Sequence, residues 1–414
     1  MISFNKYVLS NGLKLLHHYN ATTQMVALNL RYDVGARDEN PERTGLAHLF
    51  EHLMFGGSAN APDFDGALQA AGGSSNAWTG NDCTNFYEVL PAHNIETAFW
   101  LESDRYLNLC LDEQSVATQK SVVIEEFKQR YLNRPYGDVS HLMRSLAYKS
   151  HPYRWPVIGV KPEHIAEASM QEIEDFYNTH YSIDRMVLCV SGNVTFQRAV
   201  ELTEKWFGDL APRASRKRDL PVEPAQTQPR VLKVHSDVPE NMIVRIYHMC
   251  GANDPDFVAS DLVSDVLANG PSARFHRNVL MTTDLFTELD AVILGCDDPG
   301  LLYVTARMAN GVDAQKALDV IDGEIDKLLR EGVSERELKR YANQHVAREL
   351  NENILYDAVA EKLCKYEMLG DASRINTEND EYQTVTVDHF NRVARELFRA
   401  ENCSTLYYGP MVNE

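Results

Sequence analysis

The stretch "MVALNLRYDVGARDEN" at residues 25 to 40 has a near echo 216 positions later, "NMIVRIYHMCGANDPD" at 241 to 256. In each, apolar and polar residues alternate along a β-branched run that ends in a Gly-Ala pair followed by acidic residues. That is the pattern of a strand leading into a turn. The same offset sets Gly35 on Gly251 and Leu46 on Leu262, so the chain reads as two copies of one structural unit.

Working outward, each copy passes from strands into helical patterns. "NIETAFWLESDRYLNLCL" and "SVATQKSVVIEEFKQRYL" in the first half repeat every 3.6 residues, as do "AQKALDVIDGEIDKLLREG" and "SERELKRYANQHVARELNEN" in the second. "DRMVLCVSGNV" reads as a strand with a Gly-Asn turn. Between the halves, "APRASRKRDLPVEPAQTQPR" at 211 to 230 is rich in Pro and Arg and has no period. The expected fold is α+β: two homologous α/β sandwiches, each a mainly antiparallel sheet with helices packed on it. The expected domains are 1–212, a linker at 213–230, and 231–414.

Composition narrows the function classes. The chain has 414 residues, 44% hydrophobic and 24% charged, with a formal charge of −20. No apolar run approaches the ~20 residues that span a bilayer, and a strongly acidic chain is repelled by nucleic acid and anionic membrane. Basic peptides are the partners such a charge favours. The N-terminus lacks the basic segment, apolar core and small-residue cleavage site of a secretory signal, so the cytoplasm is the expected compartment. Seven cysteines, odd in number and without a C-x-x-C pair, argue against a disulfide framework or thiolate metal site.

The chemistry is concentrated in "GLAHLFEHLMFGGS" at 45 to 58. Leu46, Leu49, Phe50 and Leu53 recur at helical spacing, and Gly56-Gly57 stops the helix. His48 and His52, four apart, lie on one face, where two neutral imidazoles can share one zinc ion. Glu51 lies beside them without filling a ligand position, as the H-x-x-E-H pattern requires. Two hydrogen-bonded core histidines are the bland alternative. A third ligand decides against it: in "ATQKSVVIEEFKQRY", Val116, Gln119, Val123, Glu126 and Phe127 share one helical face, and Ser121, Val122, Glu125 and Lys128 another. Glu126 therefore points inward, and an inward carboxylate needs a cation. His48, His52 and Glu126 would hold one zinc per chain with a position open. Glu51 would stand close enough to act as general base on a metal-bound water. His17 and His18 lie in a strand-like stretch and point to opposite faces, so they are structural or solvated. His141 and His151 have no ligand-spaced partner.

These residues resemble the pitrilysin/insulinase family of zinc peptidases, in the branch of short subunits that includes mitochondrial processing peptidase and bacterial relatives. "HLFEH", "SSNAWTGNDCTNFYEVLP" (74–91), "QKSVVIEEFKQRYLNRPYG" and "HPYRWPVIG" (151–159) carry the resemblance, which runs over essentially the whole chain. It implies a zinc endopeptidase that cuts unfolded peptides inside a closed chamber. It also implies the same third ligand, Glu126. The family often has a glutamate seven positions earlier, near the ligands but not bound to the metal, where this chain has Gln119. Substrate would add as a strand at 74–78, with Asn76 and Ala77 in contact. The second half would be a degenerate copy without metal, since His48, Glu51 and His52 fall on Ser264, Leu267 and Ala268. Relatives that complete the site from that half use an Arg and a Tyr; in "SARFHRNVLMTTDLFTELDA" (272–291), Leu280 and Thr287 stand there. The resemblance thus implies a heterodimer with a related chain that lacks zinc and supplies the Arg/Tyr pair. A homodimer using Arg277 is the second choice. A non-catalytic assembly subunit is the alternative function, although such subunits usually lose part of the ligand set.

Overall fold

The computed structural model describes residues 1–213 and 218–410. The alternating apolar stretches form strands β1 (Asn5–Val8), β2 (Lys14–Tyr19), β3 (Met25–Tyr32), β4 (Ser74–Thr79), β5 (Thr84–Pro91) and β6 (Met186–Gly192) in one sheet. A second sheet holds β7 (Arg230–Ser236), β8 (Met242–His248), β9 (Phe286–Leu294), β10 (Leu301–Met308) and β11 (Cys403–Pro410). Among the described residues the sheet orders are β1-β2-β6-β3-β5-β4 and β7-β11-β8-β10-β9. Set β1 aside and the two orders are the same. Each sheet is antiparallel apart from one parallel pair, β2 with β6 and β7 with β11. The duplication read from the repeated strand and turn is therefore present in topology, and the fold is α+β as expected.

The chain packs into two compact units whose membership is not linear in sequence. The first comprises Met1–Arg130, Trp155–Leu220 and Leu350–Thr377; the second takes Tyr131–Arg154, Pro221–Glu349 and Glu378–Glu414. A division at 212 and 231 thus misses two exchanged segments. The cause is apolar burial. Helix Tyr356–Met368 sets Val359, Ala360, Leu363 and Cys364 against Leu16, Ala27, Val187 and Cys189 of the first sheet. Covered this way, every residue of β6 is buried. In the second unit, Met143, Leu146, Tyr148 and Tyr153 pack with Val244, Ile246, Leu301 and Leu406 of the second sheet. A two-sided apolar sheet must be covered on both faces, and these segments do it.

Of the expected linker at 213–230, residues 214–217 lie outside the described residues, and 218–229 have no regular structure. It is nonetheless held. Arg218 donates to Asp38 at 2.8 Å within the first unit. The Glu223 carboxylate accepts the amides of Lys149, Ser150 and His151 within the second. Among the described residues no helix is long and apolar enough to cross a membrane. Among the described residues no disulfide joins the seven cysteines, five of which are buried.

Candidate metal centre

Helix Leu46–Met54 is almost wholly buried: Leu46, Ala47, His48, Leu49, Phe50, Leu53 and Met54 are all inside. Phe50 anchors it, stacked on Phe176 and Tyr177 at centroid distances of 5.5 Å. The helix opens at Gly45, whose φ of 94° lies in the left-handed region and where a Cβ would fall 2.7 Å from the Ile158 carbonyl oxygen. A glycine has no side chain to cap the first turn. Glu39, six positions earlier, does so instead: its two carboxylate oxygens accept the amides of Gly45 and Ala47, each at 2.9 Å. Burial pushes that carboxyl up to about 8, against the downward pull of the two amides.

Glu126 comes from helix Glu113–Phe127, which starts at Asp112, whose side chain accepts the amides of Gln114 and Ser115. The helix lies with Val116, Val123 and Phe127 buried. Glu125 is turned to solvent and paired with Lys128 at 2.6 Å, while the Glu126 side chain is 18% exposed. The division of faces made from the sequence is the one observed.

Oε2 of Glu126 lies 3.7 Å from His48 Nε2 and 3.3 Å from His52 Nε2. The two imidazoles are perpendicular neighbours, 4.8 Å between centroids at 78°. Ligand bonds of ~2.0–2.1 Å in tetrahedral geometry set donor atoms about 3.4 Å apart, so this triad has the spacing and the N,N,O chemistry of a zinc site. Burial lowers His48 to about 4, so this ring is neutral at pH 7, the form that ligates a metal. Glu126 is lowered by its hydrogen bond to His52 and by the neighbouring His48 and Arg130. His48 Nδ1 is buried without a hydrogen-bond partner among the described residues, an atom the sequence reading did not anticipate.

Glu51 stands beside the triad and accepts a hydrogen bond from Thr79 Oγ1 at 2.5 Å. Burial raises its pKa, while the Thr79 bond opposes the rise. Thr79 ends β4, the edge strand of the first sheet. Asn76 is exposed and Ala77 half-buried on the same strand. The Ala77 amide donates to the side chain of its own neighbour, Asn76 Oδ1, at 2.8 Å.

Gln119 is half-buried on the same face as Glu126, two turns earlier, and makes no described hydrogen bond to His48, Glu51, His52 or Glu126. Of the residues aligned with the Arg/Tyr pair, Leu280 is half-buried and Thr287 donates to Glu240 at 3.0 Å. Arg277 is exposed and bonded to Asn278. In the second copy Ser264 and Leu267 are buried in the core, and neither is a metal ligand. The buried His17 bonds to the Val194 carbonyl at 2.7 Å, and His18 bonds to the Ser3 carbonyl. The sequence reading missed three groups: Glu39, Thr79 and Arg130, whose guanidinium meets Glu126 Oε1 at 3.0 Å from the following π turn Lys128–Leu132. Arg130, four residues after Glu126 on one helical face, was open to the same spacing rule that paired the histidines.

Two family models match the chain: "Insulinase (Peptidase family M16)" over residues 14–159 and "Peptidase M16 inactive domain" over 167–345. The chain is 26% identical over 408 residues to "Zinc protease PqqE" of Helicobacter pylori, covering 97% of this chain and 92% of that protein. It is 24% identical over 265 residues to "Probable mitochondrial-processing peptidase subunit beta, mitochondrial" of Arabidopsis thaliana, covering 63% of this chain and 50% of that one. Among solved structures it resembles that of a protease from Helicobacter pylori, with a TM-score of 0.93 at 25% identity, covering 99% of this chain and 100% of the other.

Proposed function

The chain belongs to the insulinase family of peptidases, M16, and from that membership we propose that it is a zinc-dependent endopeptidase acting on unfolded peptides. The observation that carries the reading is the convergence of His48 and His52 Nε2 on one oxygen of Glu126, at 3.7 and 3.3 Å, with a buried carboxylate, Glu51, beside them. When bound by His48, His52 and Glu126, zinc supplies a Lewis acid that polarises the scissile carbonyl and acidifies water. Glu51 takes the proton of the attacking water and then hands a proton to the leaving amide nitrogen. Thr79 orients Glu51 for both transfers. The substrate lies as an added strand along β4, its main chain bonding to the edge beside Asn76 and Ala77. For this the Asn76 side chain turns away from the Ala77 amide.

The active species in this reading is a heterodimer, because Leu280 and Thr287 can supply neither a charged nor a phenolic donor to a developing oxyanion. Losing one such donor typically costs about 10² to 10³ in kcat. A peptide-digestion assay of the zinc-loaded chain, alone and with co-purified partner, tests both parts. Chelator-sensitive cleavage absent from Glu51→Gln supports the peptidase. Full activity of the pure chain that depends on Arg277 would replace the heterodimer by a homodimer, and no cleavage with or without partner would sink the peptidase itself.

A further inference from the structure

A second group of ligating side chains lies within the second unit. The ligand atoms of His345, Glu349 and Glu378 all fall within 4.8 Å of one another. His345 and Glu349 are one turn apart on helix Glu335–Glu352, and Glu378 opens helix Glu378–Thr384. His345 is 5% exposed and its Nε2 is buried without a hydrogen-bond partner among the described residues. Its ring is fixed by stacking on Tyr382, with centroids 3.4 Å apart and planes within 8°. The Tyr382 hydroxyl donates to Asp261 Oδ2 at 2.5 Å.

The charge around this imidazole is one-sided. Glu378, Glu349 and Asp261 all act on His345 electrostatically, and Asp265, one turn beyond Asp261, completes an acidic wall. Burial, then Asp261, pushes Asp265 up to about 6. Its Oδ2 is buried and unbonded among the described residues. Against these carboxylates stands one cation with a described influence on both His345 and Asp265, the guanidinium of Arg348, which donates to His345 Nδ1 at 3.0 Å. Arg348 is an exposed side chain that reaches in from solvent. Crowded carboxylates in a poorly solvated place are stable only with a cation, by protonation, or both.

We propose that His345, Glu349 and Glu378 form a second divalent-cation site, and that the Arg348 guanidinium and the metal are alternative cations for it. One imidazole with oxygen donors suits a first-row transition ion such as Mn²⁺ or Zn²⁺ better than Mg²⁺ or Ca²⁺, which take oxygen alone. His345 lies one turn beyond Ala342, the second-copy position that the 216-residue offset pairs with Glu126. The second copy thus carries two ligating side chains, His345 and Glu349, on the counterpart of the helix that bears Glu126, while the third, Glu378, comes from a different helix.

Mn²⁺ binding to the full chain tests this, read in the His52→Ala, Glu126→Ala background so that the first triad does not contribute. We expect one saturable Mn²⁺ per chain, with ¹⁴N hyperfine coupling from an imidazole in the pulsed EPR spectrum. Glu378→Gln should weaken binding by at least about tenfold, and His345→Gln should abolish the nitrogen coupling. Arg348→Ala, at an exposed position, should tighten binding, because the competing cation is gone. No saturable binding below about 1 mM, the weak end for protein cation sites, would overturn the proposal. So would Mn²⁺ binding that neither Glu378→Gln nor Arg348→Ala alters.

Discussion

The hydroxyl of Thr79 and the carboxylate of Glu51, one at the end of an edge strand and the other on a buried helix, meet at 2.5 Å. The bond favours the ionised form of Glu51, which burial disfavours. In Thr79→Val the opposing bond is gone and the pKa of Glu51 rises. A general base must be ionised to act, so the acid limb of kcat/KM should move to higher pH in this variant. Little change is expected well above that limb. A pH–rate profile that shifts the other way, or not at all, would separate Thr79 from the base.

Glu51→Gln should retain zinc and lose hydrolysis by about 10² to 10⁴, the usual contribution of a positioned general base. Glu126→Ala should lose the metal, whereas Glu125→Ala, whose side chain is 62% exposed, should keep it. Metal content after dialysis decides between the two neighbouring glutamates. Chelation should lower the melting temperature of the wild type by more than that of Glu126→Ala, since a ligand stabilises only a chain that binds it.

Glu39 gives a pH signature that needs no activity. Its folded pKa of about 8 lies above the ordinary 4.5, so the folded chain holds this proton more tightly than the unfolded chain does. The stability it contributes is complete below pH 4.5 and is lost as the pH rises through 8. Glu39→Gln should therefore destabilise most near pH 5, with the gap to wild type narrowing toward pH 8. Glu39→Ala leaves two buried helix amides without an acceptor and should cost about 1–3 kcal/mol. Urea melts across that range check both, and a Gln gap that widens with pH would contradict the assignment.

With a formal charge of −20, cleavage of basic peptides should exceed that of acidic ones of equal length, and the advantage should shrink as salt rises. Exposed charges are screened beyond about 8 Å at physiological ionic strength. Equal rates at low and high salt would remove long-range attraction from the account.

Much of the metal centre is legible in local spacing. His48 and His52 four apart, Glu51 between them, and Glu126 on the face of Val123 and Phe127 all follow from a 3.6-residue period. The edge position of 74–79 comes with the resemblance rather than from the pattern. Glu39 is not legible because capping rules look to the residue beside the helix, and here that residue is Gly45. The pattern at 356–368 is readable as a helix, but periodicity says only that a face is apolar, not which sheet it covers. His345 and Glu349 are likewise four apart, yet Glu378 reaches them only through tertiary packing.

That late helix has a consequence for biosynthesis. Val187 and Cys189 leave the ribosome well before Val359, Leu363 and Cys364, which cover them. At ~5–20 residues per second the interval is on the order of ten seconds. Throughout it, the nascent first sheet lacks the apolar cover that Val359, Leu363 and Cys364 later provide. The first unit, although its strands are all synthesised by residue 192, is therefore completed late, and a chaperone or a transient non-native partner has a defined window in which to hold it.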